Sequence, residues 1–204
     1  MGLDWILNTR RPHKGYEEEF AILQQEARDT DSQKAADNIF QKMDKISDKA
    51  FDVIGCPMIG RDKEADNWIR QQMKEAQEHR DWPQNKDFIG TFEDVVKTHK
   101  GQYITDLAKE KGGLGAVLGM MCSRVDFRGK VVGYCEYIPE DLQERAYRDQ
   151  TPEEMLEYAN ELESAINMQQ ALDHMPEEER EYIDAAIRWL RFWGEKGFGF
   201  HAWY

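Results

Sequence analysis

The sequence predicts an α+β protein, predominantly α-helical, whose helices pack on a small antiparallel sheet formed by the N-terminal strand, a central hairpin at about 124–138 and the C-terminal strand. Three observations carry that prediction. Both ends of the chain alternate apolar residues with others at a period of two, as a half-buried strand does. Between them, apolar residues recur at three- and four-residue spacings, in runs opened by capping residues or prolines. Arg128-Gly129-Lys130 lies between the β-rich runs Val125 to Phe127 and Val131 to Tyr137, and reads as a three-residue hairpin turn in which glycine supplies the positive φ.

Taken in order, Leu3, Trp5 and Leu7 give the first strand one strongly apolar face. Tyr16, Phe20, Leu23 and Ala27 form one stripe of a helix over about 16–28. Asp31 is placed to cap the next helix, whose stripe of Ala36, Ile39, Phe40, Met43 and Ile46 ends before the Gly55-Cys56-Pro57 turn. Asp62 caps a third, with Ala65, Trp68, Ile69, Met73 and Ala76 facing inward, and Trp82-Pro83 stops it. Thr91 and Asp94 open a two-turn helix closed by Gly101, and Tyr103 to Lys111 reads as another, closed by Gly112-Gly113. Pro139 opens a short helix to about Arg148.

Thr151-Pro152-Glu153-Glu154 has the hydroxyl, proline and carboxylates of a strong helix start, followed by the stripe Met155, Leu156, Ala159, Leu162 and Ile166. Pro176 with Glu177, Glu178 and Glu179 repeats the pattern ahead of Tyr182, Ile183, Ala186, Ile187, Leu190 and Trp193. Gly194 and Gly197 break that helix, and Phe198 to Tyr204 alternates as a final strand. Isolated strands are rarely stable and chain ends fray unless tied down, so the first and last strands are expected to pair within one sheet. No repeat, low-complexity tract or long linker divides the chain, and residues 1–204 read as a single domain.

Composition narrows the function classes. A chain of 204 residues hides roughly 70% of its unfolded surface, and 6 Trp, 8 Tyr and 9 Phe supply groups that disordered chains lack. The longest oily stretch, Leu114 to Cys122, is about half of a spanning helix and holds two glycines, so no membrane span is expected. Three cysteines without a CxxC pair read as reduced thiols, and the N-terminus lacks the features of a signal or transit peptide, which together predict a cytoplasmic protein.

The net charge of -13 is concentrated: residues 136–184 hold 16 acidic residues against 3 arginines, while the remainder is balanced. Such a surface repels phosphate backbones and anionic lipid, so neither direct nucleic-acid binding nor membrane docking is expected, whereas a basic protein partner suits it. Glu153, Glu157 and Glu161, at i, i+4 and i+8, are the candidate interaction stripe.

The glycine run 112–119 contains GxGxxxG, but follows the polar end of a helix where a dinucleotide fingerprint needs a buried strand. It reads as a helix stop followed by a close-packed apolar segment. His13, His79, His99, His174 and His201 are dispersed without zinc-ligand spacing, and Glu75 with His79 reads as an exposed helical pair, so no metal or cofactor is expected. Cys122 and Cys135 border the hairpin and His201 lies on the last strand; neighbouring strands would bring a thiol and a base together.

Three functions follow. The foremost is an acidic protein-interaction module that docks a basic partner on the 136–184 surface, in its sharpest form mimicking nucleic-acid charge. The alternative is a small-molecule enzyme or ligand-binding protein with a pocket between sheet and helices, lined by Gly113, Gly115, Gly119, Cys122, Cys135 and His201. The third is a structural or assembly protein using its aromatics; the oligomeric state is left open.

Overall fold

The structure of the protein, a computed structural model, describes residues 3–80, 82–108, 124–125 and 132–203. It is an α+β fold, mostly helical, with short antiparallel strands. The backbone gathers into two compact units, Met1–Val53 with Met120–Tyr204, and Ile54–Gly119.

In the first unit, β1 (Asp4–Leu7) is the central strand of a three-stranded sheet, flanked by β5 (Phe200–Trp203) and β4 (Arg124–Val125). The pairing of the first and last strands is antiparallel, with Trp5 opposite Ala202 and Leu7 opposite Phe200. Their period of two decides the register, because it puts Trp5, Leu7, Phe200 and Ala202 in the core while His201 and Trp203 stay exposed. Trp5 stacks on Phe200 with centroids 5.0 Å apart and meets Trp189 and Tyr158 at 6.1 Å each. These partners come from α7 (Pro152–Ile166) and α9 (Glu177–Glu195), which pack along each other through the predicted stripes. Gly197, at φ +75°, ends α9 and turns the chain back into β5.

A second, two-stranded sheet pairs β2 (Arg10–Pro12) with β3 (Ser47–Lys49), around α1 (Glu17–Asp29) and α2 (Gln33–Met43), and α3 (Ala50–Val53) follows. Phe20 and Leu23 of α1 meet Ile39, Met43 and Ile46 in a small aliphatic cluster. The cap of α2 is Ser32 rather than Asp31, because the Ser32 hydroxyl is the one that reaches the Ala35 N–H.

The second unit packs α4 (Lys63–Glu78) and α5 (Phe92–His99), with a 3-10 helix at Pro83–Phe88, around Ile59, Ala65, Ile69, Met73, Val95 and Ile104. The helix expected over 103–111 is replaced, within the described residues, by a single 3-10 turn at Thr105–Leu107. The preceding backbone is tied into pairing with 57–59 instead: Ile104 N–H donates to Pro57 O, Ile59 N–H to Gln102 O and Gly101 N–H to Ile59 O.

The central hairpin also differs from its expected form. Its first arm supplies β4, paired with β1 on the edge away from β5. Residues 126–131, including the turn, lie outside the described residues. Of the expected second arm, 132–134 is a helical turn. The buried apolar residues there are Val132, Cys135 and Ile138, three apart, which suits a turning path and defeats a period of two.

Beyond it, Pro139 caps the short helix α6 (Glu140–Arg145) rather than opening it, and α8 (Gln169–His174) bridges α7 and α9.

Candidate functional site

Two aromatic side chains fix α6 onto the core. The Trp5 indole N–H donates to Ala146 O at 2.8 Å and the Tyr158 hydroxyl to Leu142 O at 2.6 Å, so carbonyls at the end of α6 find buried partners. Burial pushes the Tyr158 hydroxyl far above the usual tyrosine range, which keeps its proton in place as a donor. The Gln143 amide of α6 reaches back to the backbone ahead of the helix, donating to Cys135 O and Ile138 O at 3.0 and 2.7 Å.

The start of α7 is equally determined. Thr151 Oγ accepts from the Glu154 N–H at 3.3 Å, and the Glu154 carboxylate accepts from the Thr151 N–H at 2.8 Å. That backbone bond, with the Thr151 hydroxyl second, holds the Glu154 carboxyl below the usual carboxylate range.

Arg145 then joins the two helices. Its guanidinium donates to Glu161 at 2.7 Å, to Glu157 at 3.2 Å and to Glu154 O at 2.7 Å, and its carbon lies 5.0 Å from the Tyr158 ring centre. Arg191 of α9 does the same on another side of α7, gripping both oxygens of Glu163 at 2.9 and 2.7 Å and Asn160 at 2.8 Å. The Arg191 bond holds the Glu163 carboxyl below the usual range.

The predicted stripe is therefore divided. Glu157 and Glu161 share one cation and line a groove of about 380 Å³ between α6 and α7, together with Asp141, Leu142, Ala165 and Met168. Glu153 lines a different cavity, of about 680 Å³, bordered by Arg10 and Arg11 of β2, Glu17 and Phe20 of α1, and Phe200 of β5. Sequence spacing missed Arg145 because its partners lie 12 and 16 residues away on another helix, beyond any i, i+4 pattern.

Of the predicted pocket residues, Gly113, Gly115, Gly119 and Cys122 lie outside the described residues. Cys135 is buried, and its thiol donates to the Glu179 carboxylate at 3.6 Å. Burial, with the Glu179 charge behind it, pushes that thiol above its ordinary value, the opposite of what a nucleophilic thiolate needs. His201 is exposed on β5, with Nδ1 2.6 Å from Asp149, which also accepts the Ala202 N–H at 3.0 Å. Cys135 and His201 thus face separate carboxylates, and β1 lies between β4 and β5. Glu75 accepts from Gln71, while His79 stacks on Trp82 with centroids 4.3 Å apart. Among the described residues no group of three His, Cys, Asp or Glu side chains is arranged to hold a metal ion, and no helix is long and apolar enough to cross a membrane. No family model, curated protein or solved structure matches the chain.

Proposed function

We propose that this chain is a protein-interaction module of a reducing, cytoplasmic compartment that binds a basic protein through the 136–184 surface. One observation carries the reading. Arg145, Arg148 and Arg191 neutralise Glu157, Glu161, Glu144 and Glu163, yet Glu136, Glu140, Asp141, Glu153, Asp173, Glu177, Glu178 and Glu181 are exposed without a cation partner among the described residues. Like charges held at this density repel one another, and a cationic surface relieves that repulsion while steering its own approach. Cys135, a buried free thiol, supports the compartment.

The test is titration of the full chain with poly-lysine, followed calorimetrically across a salt series. Affinity is expected to fall by about tenfold from low to physiological salt, because exposed contacts are screened over roughly 8–10 Å. Changing Asp141 and Glu153 to their amides together with Glu177→Gln and Glu178→Gln is expected to remove most of that salt dependence. Binding that ignores both salt and the substitutions overturns the reading.

A second reading is favoured by the cavity of about 680 Å³, a volume typical of ligand sites, beside Gly199 and Phe200. There the protein would hold a small molecule between the sheet and its helices. Native mass spectrometry of chain purified from cells tests it: a discrete added mass lost on denaturation supports a ligand, and a clean apo mass removes it.

A further inference from the structure

We propose that the groove between α6 and α7 is the anchoring seat of the basic partner, and that its occupant is a protein segment carrying one apolar side chain flanked by Lys or Arg. This rests on the reading that the surface binds a basic protein, and names what that protein must present. The groove is built from two chemistries: Leu142, Ala165 and Met168 are apolar, while Asp141, Glu157 and Glu161 are carboxylates. With Arg145 bound to Glu157 and Glu161, three negative groups stand against one positive, and Asp141 has no cation partner among the described residues. A purely polycationic segment leaves the apolar lining unused, and a purely apolar one buries Asp141 unpaired and leaves the excess negative charge uncompensated, at a cost. A segment with both features satisfies both.

Two further observations support the seat. Met168, which lines the groove, is 58% exposed, and Leu172, four residues further on, is 53% exposed, so large apolar surface lies open at Met168 and beyond it. A flexible methionine at the mouth of a groove adapts to an incoming side chain. The walls, by contrast, are already fixed by the Tyr158–Leu142 bond, the Gln143 amide and the Arg145 clamp. A preformed seat costs little ordering on association, which concentrates binding energy on one buried anchor.

The experiment is an amide NMR titration of the full chain at low salt with two lysine-rich peptides, identical except for a central Leu or Ser. The leucine peptide is expected to give saturable shifts at Leu142, Glu161, Ser164 and Met168. The serine peptide, and the exposed Met168→Ser chain with the leucine peptide, are each expected to bind about tenfold more weakly, the scale of one buried aliphatic anchor. The spectrum of the variant itself reports that it is folded. Equal binding of both peptides, with shifts on the first turn of α9 and none in the groove, overturns the seat while leaving the basic-partner reading standing. Absence of any saturable shift with either peptide overturns both.

Discussion

The two strand pairs of the first unit are held by opposite means. β1 and β5 come from the two ends of the chain and meet by burying side chains: Trp5, Leu7, Phe200 and Ala202 turn inward and are at most 5% exposed. β2 and β3 are three residues each and meet through charge. Arg11 stands opposite Asp48 with Nη2 2.6 Å from its carboxylate. Arg10 stands opposite Lys49, a repulsive pairing, and Asp44 relieves it by accepting from both at 3.0 and 2.7 Å. The first arrangement resists salt and pH; the second depends on both. The first unit thus contains, in two separate sheets, one pair whose energy lies in area and one whose energy lies in ion pairs.

The difference is broken most strongly at Trp5. Replacing it by alanine empties the site between Phe200, Trp189 and Tyr158 and leaves Ala146 O without its indole partner. A loss of about 3–5 kcal/mol is expected from an aromatic-to-alanine change in a core. Chemical denaturation at two salt concentrations measures it, and the loss should be the same in both.

A change at Gly199 ranks second. An added methyl group there would press against the Gln150 carbonyl, which accepts from the Phe200 N–H at 3.0 Å while the Gln150 N–H donates to Phe200 O at 3.0 Å. Gly199→Ala is expected to cost about 1–3 kcal/mol, as overpacking of a tight site does. Loss of amide protection at Phe200 would show that the damage lies at this bridge.

The same contrast explains what the sequence disclosed. The apolar pair was legible because burial on one face imposes a period of two on Leu3, Trp5 and Leu7 and again on Phe198 to Trp203. The long helices were legible for the same reason, with Thr151 and Pro152 marking a boundary to the residue. The ionic pair left no trace: neither Arg10-Arg11-Pro12 nor Ser47-Asp48-Lys49 carries an apolar period, since their partners are chosen by the fold. The candidate site shows both cases. The acidity of 136–184 was countable, whereas the division of Glu153 from Glu157 and Glu161, and the clamp by Arg145, depend on where one helix lies against another.

The smallest expected effect lies at Asp48, and it separates the two kinds of pairing most cleanly. The Arg11 bond holds the Asp48 carboxyl below the usual carboxylate range against the opposing effect of its partial burial, and Arg11 also donates to Lys196 O and lies over Phe198. A carboxyl whose folded value is depressed contributes stability above its unfolded value and loses it as pH falls through the folded one. Asp48→Asn is therefore expected to cost up to about 1 kcal/mol near neutral pH, the scale of a half-exposed pair, and nothing once wild type is itself protonated there. Denaturation midpoints of the two chains should converge as pH is lowered past the carboxylate range, and added salt should narrow the gap at neutral pH. A gap that persists unchanged at acid pH would mean that Asp48 acts through shape and hydrogen bonding alone, and β2–β3 would then belong with β1–β5 as a pair held by packing.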